Sequence, residues 1–115
     1  MKSYKDWTQK TSETGYLLRR IQKIVTSIDT GAQVILYGSR ARGGADTASD
    51  WDFLILTDHN LTRKSILEIR DRLYDLELET DTVLSSIIRT KKDWNSPKYA
   101  VLPYKKIVEQ DGVLL

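Results

Sequence analysis

Cysteine is absent from the 115-residue chain, which excludes disulfides and zinc–thiolate centres and suits a reducing compartment. No apolar run approaches the length that crosses a bilayer. The opening residues Met1-Lys2-Ser3-Tyr4-Lys5-Asp6-Trp7 hold no apolar signal-peptide core, so a cytoplasmic location with no membrane partner is the expectation. A strong excess of one charge is missing as well. The formal net charge of +2 is too small to argue for nucleic acid as a partner. There is no internal repeat, low-complexity tract or linker, and 115 residues suit a single domain over 1–115 with one modest core. Histidine occurs once, as His59, and reads as a loop residue. What remains is ordinary for a globular protein, with 40% apolar and 30% charged residues.

Leu17, Ile21, Ile24 and Ile28 recur at helical spacing among Arg19, Arg20, Gln22 and Lys23, so the N-terminal third is expected to be helical. Tyr4 and Trp7 extend the same stripe backwards, Gly15 is a candidate interruption, and Gly31 a candidate left-handed cap. Gln33–Tyr37 is short, β-branched and aromatic and reads as a first strand. Residues 39–43 read as a short helical turn, 43–48 as a loop and 50–57 as a second strand. A second long helix opens at Asn60-Leu61-Thr62, with Ile66, Ile69, Leu73 and Leu76 on its apolar stripe. Residues 79–88 read as a third strand. Strand, helix, strand in that order favours a parallel pair joined by a right-handed crossover. Farther on, Trp94 anchors a turn and Pro103 opens a last helix, with Tyr104, Ile107 and Val108 facing inward and Gly112 ending it. Val113-Leu114-Leu115 either packs back or frays. The fold class expected is α/β (α+β): a small mixed sheet with helices against one face and a site at its open end.

The most informative stretch is Leu36-Tyr37-Gly38-Ser39-Arg40-Ala41-Arg42-Gly43-Gly44, followed by Ser49-Asp50-Trp51-Asp52-Phe53-Leu54-Ile55-Leu56. Residues i and i+2 of a strand face the same side. Asp50 and Asp52 are therefore expected to point together, just after a tight glycine turn, while Trp51 points away. Two convergent carboxylates suit a divalent cation. Gly38, lacking a Cβ, lets a phosphate approach the backbone, and Ser39 offers a hydroxyl. The turn that follows aims N–H groups at an anion. Arg40 and Arg42 are candidates to offset phosphate charge. The odd positions Glu77, Glu79 and Asp81 repeat the plan of carboxylates at a strand's start. Asp81 is the first candidate for a third site acid and Glu79 the second. A different register of that strand puts Ser85 in the position instead.

Gly38-Ser39, the spacer, and Asp50-Trp51-Asp52-Phe53 resemble the signature of the minimal nucleotidyltransferases of the DNA polymerase beta superfamily, whose small prokaryotic branch also fits Ser49, Arg40-Ala41 and Gly43. The resemblance implies a nucleotidyltransferase fold and transfer of a nucleoside monophosphate, AMP above all, from a nucleoside triphosphate such as ATP to a hydroxyl. It implies Mg²⁺, two ions, on Asp50, Asp52 and a third acid, here Asp81, with Gly38, Ser39, Arg40 and Arg42 on the nucleotide. It also implies a partner that supplies the acceptor: a helical HEPN-type chain, as in toxin–antitoxin pairs, or a second copy. The alternative is a binding module of the same fold, antitoxin-like, that holds nucleotide or partner with turnover lost at the third acid.

Overall fold

The computed structural model describes residues 1–44 and 48–115. The loop expected over 43–48 therefore lies partly outside the described residues. The elements run β1 (Lys2–Ser3), a 3-10 turn at Tyr4–Asp6, α1 (Ser12–Ile28), β2 (Gln33–Tyr37), α2 (Ser39–Arg42), β3 (Trp51–Thr57), α3 (Arg63–Thr80), β4 (Leu84–Thr90), α4 (Lys91–Trp94), α5 (Pro97–Ala100), α6 (Pro103–Asp111) and β5 (Val113–Leu114). The fold is mixed α/β. Its five-stranded sheet has the order β1-β5-β2-β3-β4. β2 runs antiparallel to β3 and to β5, while β3 and β4 are parallel, as the strand–helix–strand order predicts.

Helices cover both faces of the sheet rather than the single face expected. α1 and α3 pack Leu17, Ile21, Ile69, Leu73 and Leu76 against Val34, Leu36, Trp51, Phe53 and Ile55. On the other face Trp94, Tyr99 and Val108, from α4, α5 and α6, cover Ile35, Leu54 and Leu56. The cause is in β3, where consecutive residues Phe53, Leu54, Ile55 and Leu56 are all buried. An apolar run with no alternation needs cover on both sides.

Several boundaries differ from expectation. Tyr4 and Trp7 precede α1, which starts after Thr11, where the Thr11 and Thr14 side chains cap each other's backbone. Gly15 sits inside the helix, and a Cβ there would meet the Tyr4 hydroxyl at 3.2 Å. Gly31 has no left-handed φ. The turn after α1 is instead tied by the buried Asp29 carboxylate, which accepts from the N–H groups of Gly31, Asp58 and His59 at 3.3, 3.0 and 3.3 Å. Ile107 is 46% exposed rather than inward-facing. Val113 and Leu114 form β5, held between β1 and β2.

The largest correction concerns residues 79–83. α3 continues to Thr80, and Asp81 is its cap, in the left-handed conformation (φ 53°, ψ 47°), with its N–H on the Glu77 carbonyl. Leu76, Glu77, Leu78 and Glu79 are strong helix formers, and that propensity outweighs the alternation of acids. β4 begins only at Leu84.

Candidate active site

The register between β2, β3 and β4 sets Tyr37, Asp52 and Ser85 side by side. Paired residues in neighbouring strands share a face, so this row lies on the side of Leu54 and Ile35. β2 gives way to Gly38, whose backbone (φ 79°, ψ −163°) is open only to glycine. A Cβ on Gly38 would lie 2.5 Å from Oδ2 of Asp52. The bend and the carboxylate thus meet face to face. From the bend the chain enters α2, whose Ala41 and Arg42 N–H groups donate back to the Gly38 carbonyl at 3.1 Å each.

Asp50 is exposed and Asp52 half-buried. The Asp52 carboxyl is pushed above its ordinary 3.8, first by burial and then by the charge of Asp50, while Arg42 pulls it back. A carboxylate whose ionisation is opposed by burial and by a neighbouring acid fits a divalent cation, which offsets that cost on binding. The pair supplies the hard oxygen donors that magnesium requires.

A family model described as nucleotidyltransferase domain matches residues 18–114. The chain belongs to the nucleotidyltransferase domain family. Nucleotidyl transfer is therefore the general chemistry of its fold. No curated protein matches the chain. Among the described residues, no helix is long and apolar enough to cross a membrane.

In this nucleotidyltransferase domain the other sequence-predicted residues divide. Arg42 is on the carboxylate side: its guanidinium is 2.9 Å from Asp111 on α6 and bears on the charge of Asp52. Arg40 goes the other way. Its Nε and Nη2 donate to the Ser49 carbonyl at 3.2 and 3.1 Å, and it stacks 4.5 Å over the Trp51 ring, on the face opposite Asp52. Trp51 is buried away from the aspartates, as its position in the strand predicts. Glu79, on α3, is bound by Arg20 at 2.7 Å and by the Tyr16 hydroxyl at 2.9 Å. Asp81 caps α3 and is not in the row. The position beside Asp52 belongs to Ser85, the register left open from the sequence. Among the described residues no three of His, Cys, Asp and Glu gather closely enough to hold a metal ion.

A cleft of about 570 Å³ between the start of α1 and the end of α3 is lined by Thr14, Tyr16, Arg40, Trp51 and Thr80 among others. It shares no residue with the row of Tyr37, Asp52 and Ser85.

Two contributors read from the sequence only as packing residues. Tyr104 of α6 packs edge-on against Tyr37, ring centroids 5.5 Å apart. Its buried hydroxyl lacks a well-formed hydrogen bond among the described residues, although the Tyr37 hydroxyl is near. Burial above all, then Tyr37, drives its pKa far up, with Asp52 adding to the rise. The hydroxyl therefore stays protonated, an uncharged donor at the edge of the row. The other is Trp7, whose indole N–H donates to the Ala41 carbonyl at 3.0 Å.

Proposed function

We propose that this domain binds a nucleoside triphosphate, ATP in the first instance, as its magnesium complex and transfers the nucleoside monophosphate to a hydroxyl on a second molecule. The observation that carries the reading is the Asp52 carboxylate set against the Gly38 bend, with Asp50 acting on the same charge. Asp50 and Asp52 would hold the cation, which supplies charge neutralisation for the phosphates. The Gly38-Ser39 bend lets the triphosphate lie against backbone with no Cβ in the way, and the Ser39 hydroxyl donates to a phosphate oxygen. Arg42, beside the pair, offsets further negative charge. The acceptor oxygen attacks the α-phosphorus, the bond to the bridging oxygen breaks, and pyrophosphate leaves with that electron pair. Most of the acceleration comes from positioning and from fixed charges.

Ser85 favours a second reading. With a hydroxyl rather than a carboxylate beside Asp52, the row offers no second acid to receive the acceptor's proton, so that proton passes to water. Nucleotide binding survives this better than turnover does. The acceptor then comes with a partner chain, a helical one of the HEPN type or a second copy, in the cytoplasm.

Calorimetry with ATP, with and without Mg²⁺, tests the site. Binding that needs Mg²⁺ and is lost in Asp52→Asn is the expected result; ATP binding indifferent to both would overturn the proposal. Transfer of label from α-labelled ATP, with intact protein and Asp52→Asn compared, then separates the enzyme from the binding module.

A further inference from the structure

We infer that Trp7 is a positioning residue for the Gly38-Ser39 bend, supplied by a segment that the family model, spanning 18–114, does not include. The element it holds cannot hold itself. α2 is 4 residues long and is flanked by Gly38 and Gly43, both at positive φ (79° and 86°). A single helical turn between two glycines has little intrinsic stability, and its last carbonyls have no N–H ahead of them in the helix.

The Ala41 carbonyl is one of these, and the buried Trp7 indole satisfies it. The donor is itself fixed. Trp7 is 2% exposed, its backbone N–H is bonded to the Tyr4 carbonyl at 3.2 Å, and its ring centroid is 6.1 Å from that of Tyr4. The Gln9 amide fills the place of the side chain that Gly43 lacks, 2.9 Å from where its Cβ would be. Trp7 and Gln9 thus brace α2 and the glycine that ends it. α2 has two other ties: Arg40, which donates to the Ser49 carbonyl and stacks on Trp51, and Arg42 to Asp111, in which Arg42 is 53% exposed. A pair so open to water restrains weakly. The register of β2 on β3 places Gly38 beside Asp52, and the bond from Trp7, the buried one among these side-chain ties, holds the turn that carries Ser39 onward from it.

Hydrogen exchange tests the strut without any nucleotide. Trp7→Phe removes the N–H and keeps a ring. A benzothienylalanine at position 7, isosteric with tryptophan but without the N–H, covers the case in which the smaller ring disturbs folding. In either variant the Ala41, Arg42 and Gly43 amides are expected to exchange about tenfold faster, the loss of one buried hydrogen bond. Amides of β3 should hold their wild-type rates. Unchanged rates in α2, or an equal rise in β3, would overturn the inference by leaving Trp7 as packing alone.

The consequence for ligand rests on the proposed triphosphate site. Calorimetry with Mg·ATP should show roughly threefold to tenfold weaker binding in the same variants, for the same bond energy. Equal affinity in wild type and variant would refute the positioning role. Absence of binding by the wild type would refute the triphosphate reading, and exchange alone would then decide the strut.

Discussion

Gly38→Ala puts the meeting of bend and carboxylate to a quantitative test. Two costs are predicted. The backbone at φ 79° and ψ −163° lies in a region closed to L side chains, which costs about 1–3 kcal/mol. The new methyl would also lie 2.5 Å from Asp52 Oδ2 and 3.3 Å from its Cγ, so the carboxylate must swing away, adding about 1 kcal/mol, the low end for overpacking because the obstacle is the end of a side chain. The sum, about 2–4 kcal/mol, corresponds to a fall in Tm of roughly 8–16 °C for a domain of this size.

The second cost depends on Asp52 and the first does not. In an Asp52→Ala background the nearest remaining atom of that residue is its Cβ, at 3.5 Å, an ordinary contact. Gly38→Ala should then cost about 1 kcal/mol less than in wild type, a coupling beyond the ~0.5 kcal/mol within which independent sites add. Gly44→Ala is the control: its φ is 81° but its Cβ would meet nothing within 4 Å among the described residues, so it reports backbone strain without a collision. Denaturant melts of the four proteins in the cycle and of the control measure each part. Strict additivity would mean that Asp52 does not face Gly38, and the site as described would not exist.

Other outcomes follow from the same geometry. Asp52 holds its proton more tightly in the fold than in the unfolded chain, so its own contribution to stability should decline as pH rises from near its ordinary 3.8 through the higher folded-state value, against the opposite contribution of Glu79. In thermal melts with chelator, Asp52→Asn should lack that decline and be the more stable protein at neutral pH, and Mg²⁺ should raise only the wild-type Tm. A wild type that is the more stable of the two at neutral pH in chelator would contradict it. Asp29→Ala strips three backbone N–H groups of a buried acceptor at the far end of β3. It should cost about 3 kcal/mol in urea titrations while leaving Mg·ATP affinity intact. Ser85→Asp places a carboxylate in register with Asp52; label transfer should rise, and Mg²⁺ should stabilise this variant more than wild type. Glu79→Gln should change neither binding nor transfer, and a loss of activity there would return Glu79 to the site.

How much of this was legible from the sequence depends on how local each signal is. A glycine at a strand's end and an acid at the next strand's start are local facts, and the structure sets Gly38 against Asp52 as that pattern suggests. The parallel β3–β4 pair was equally legible, because it follows from element order alone. The end of α3 was not. Alternating Glu77, Glu79 and Asp81 imitate a strand's period, yet Glu77 and Glu79 are good helix formers and Asp81 caps the helix, and the long stripe through Ile69, Leu73 and Leu76 decides for helix. Two-residue strands such as β1 and β5 exist only through their partners and leave no local trace. The second covered face was written into β3, where Leu54 and Leu56 are as apolar as Phe53 and Ile55; a strand apolar on both sides asks for two layers of helix.

Register is the point at which sequence reasoning and chemistry separate. A shift of one residue would turn Ser85 away from Asp52 and bring a neighbour of opposite facing into the row. What fixes the register here is local to the turn after α3. Glu77, one turn from the end of that helix, accepts the N–H of Leu84 at 3.0 Å, and the Val83 carbonyl receives the N–H of Trp51 at 2.9 Å. The first bond ties Leu84, one residue before Ser85, to α3, and the second ties Val83, two residues before it, to the start of β3. The acid at position 77, read from the sequence as part of an acidic strand, thus acts from the helix, and its effect is to deliver a hydroxyl rather than a carboxylate to the side of Asp52. Glu77→Gln keeps an acceptor for Leu84 and should leave that placement unchanged. Glu77→Ala removes it, and amide exchange at Leu84 and Ser85 should quicken by about tenfold, the loss of one charged hydrogen bond at a half-exposed site. If exchange at those amides does not change, the register is held by the sheet alone.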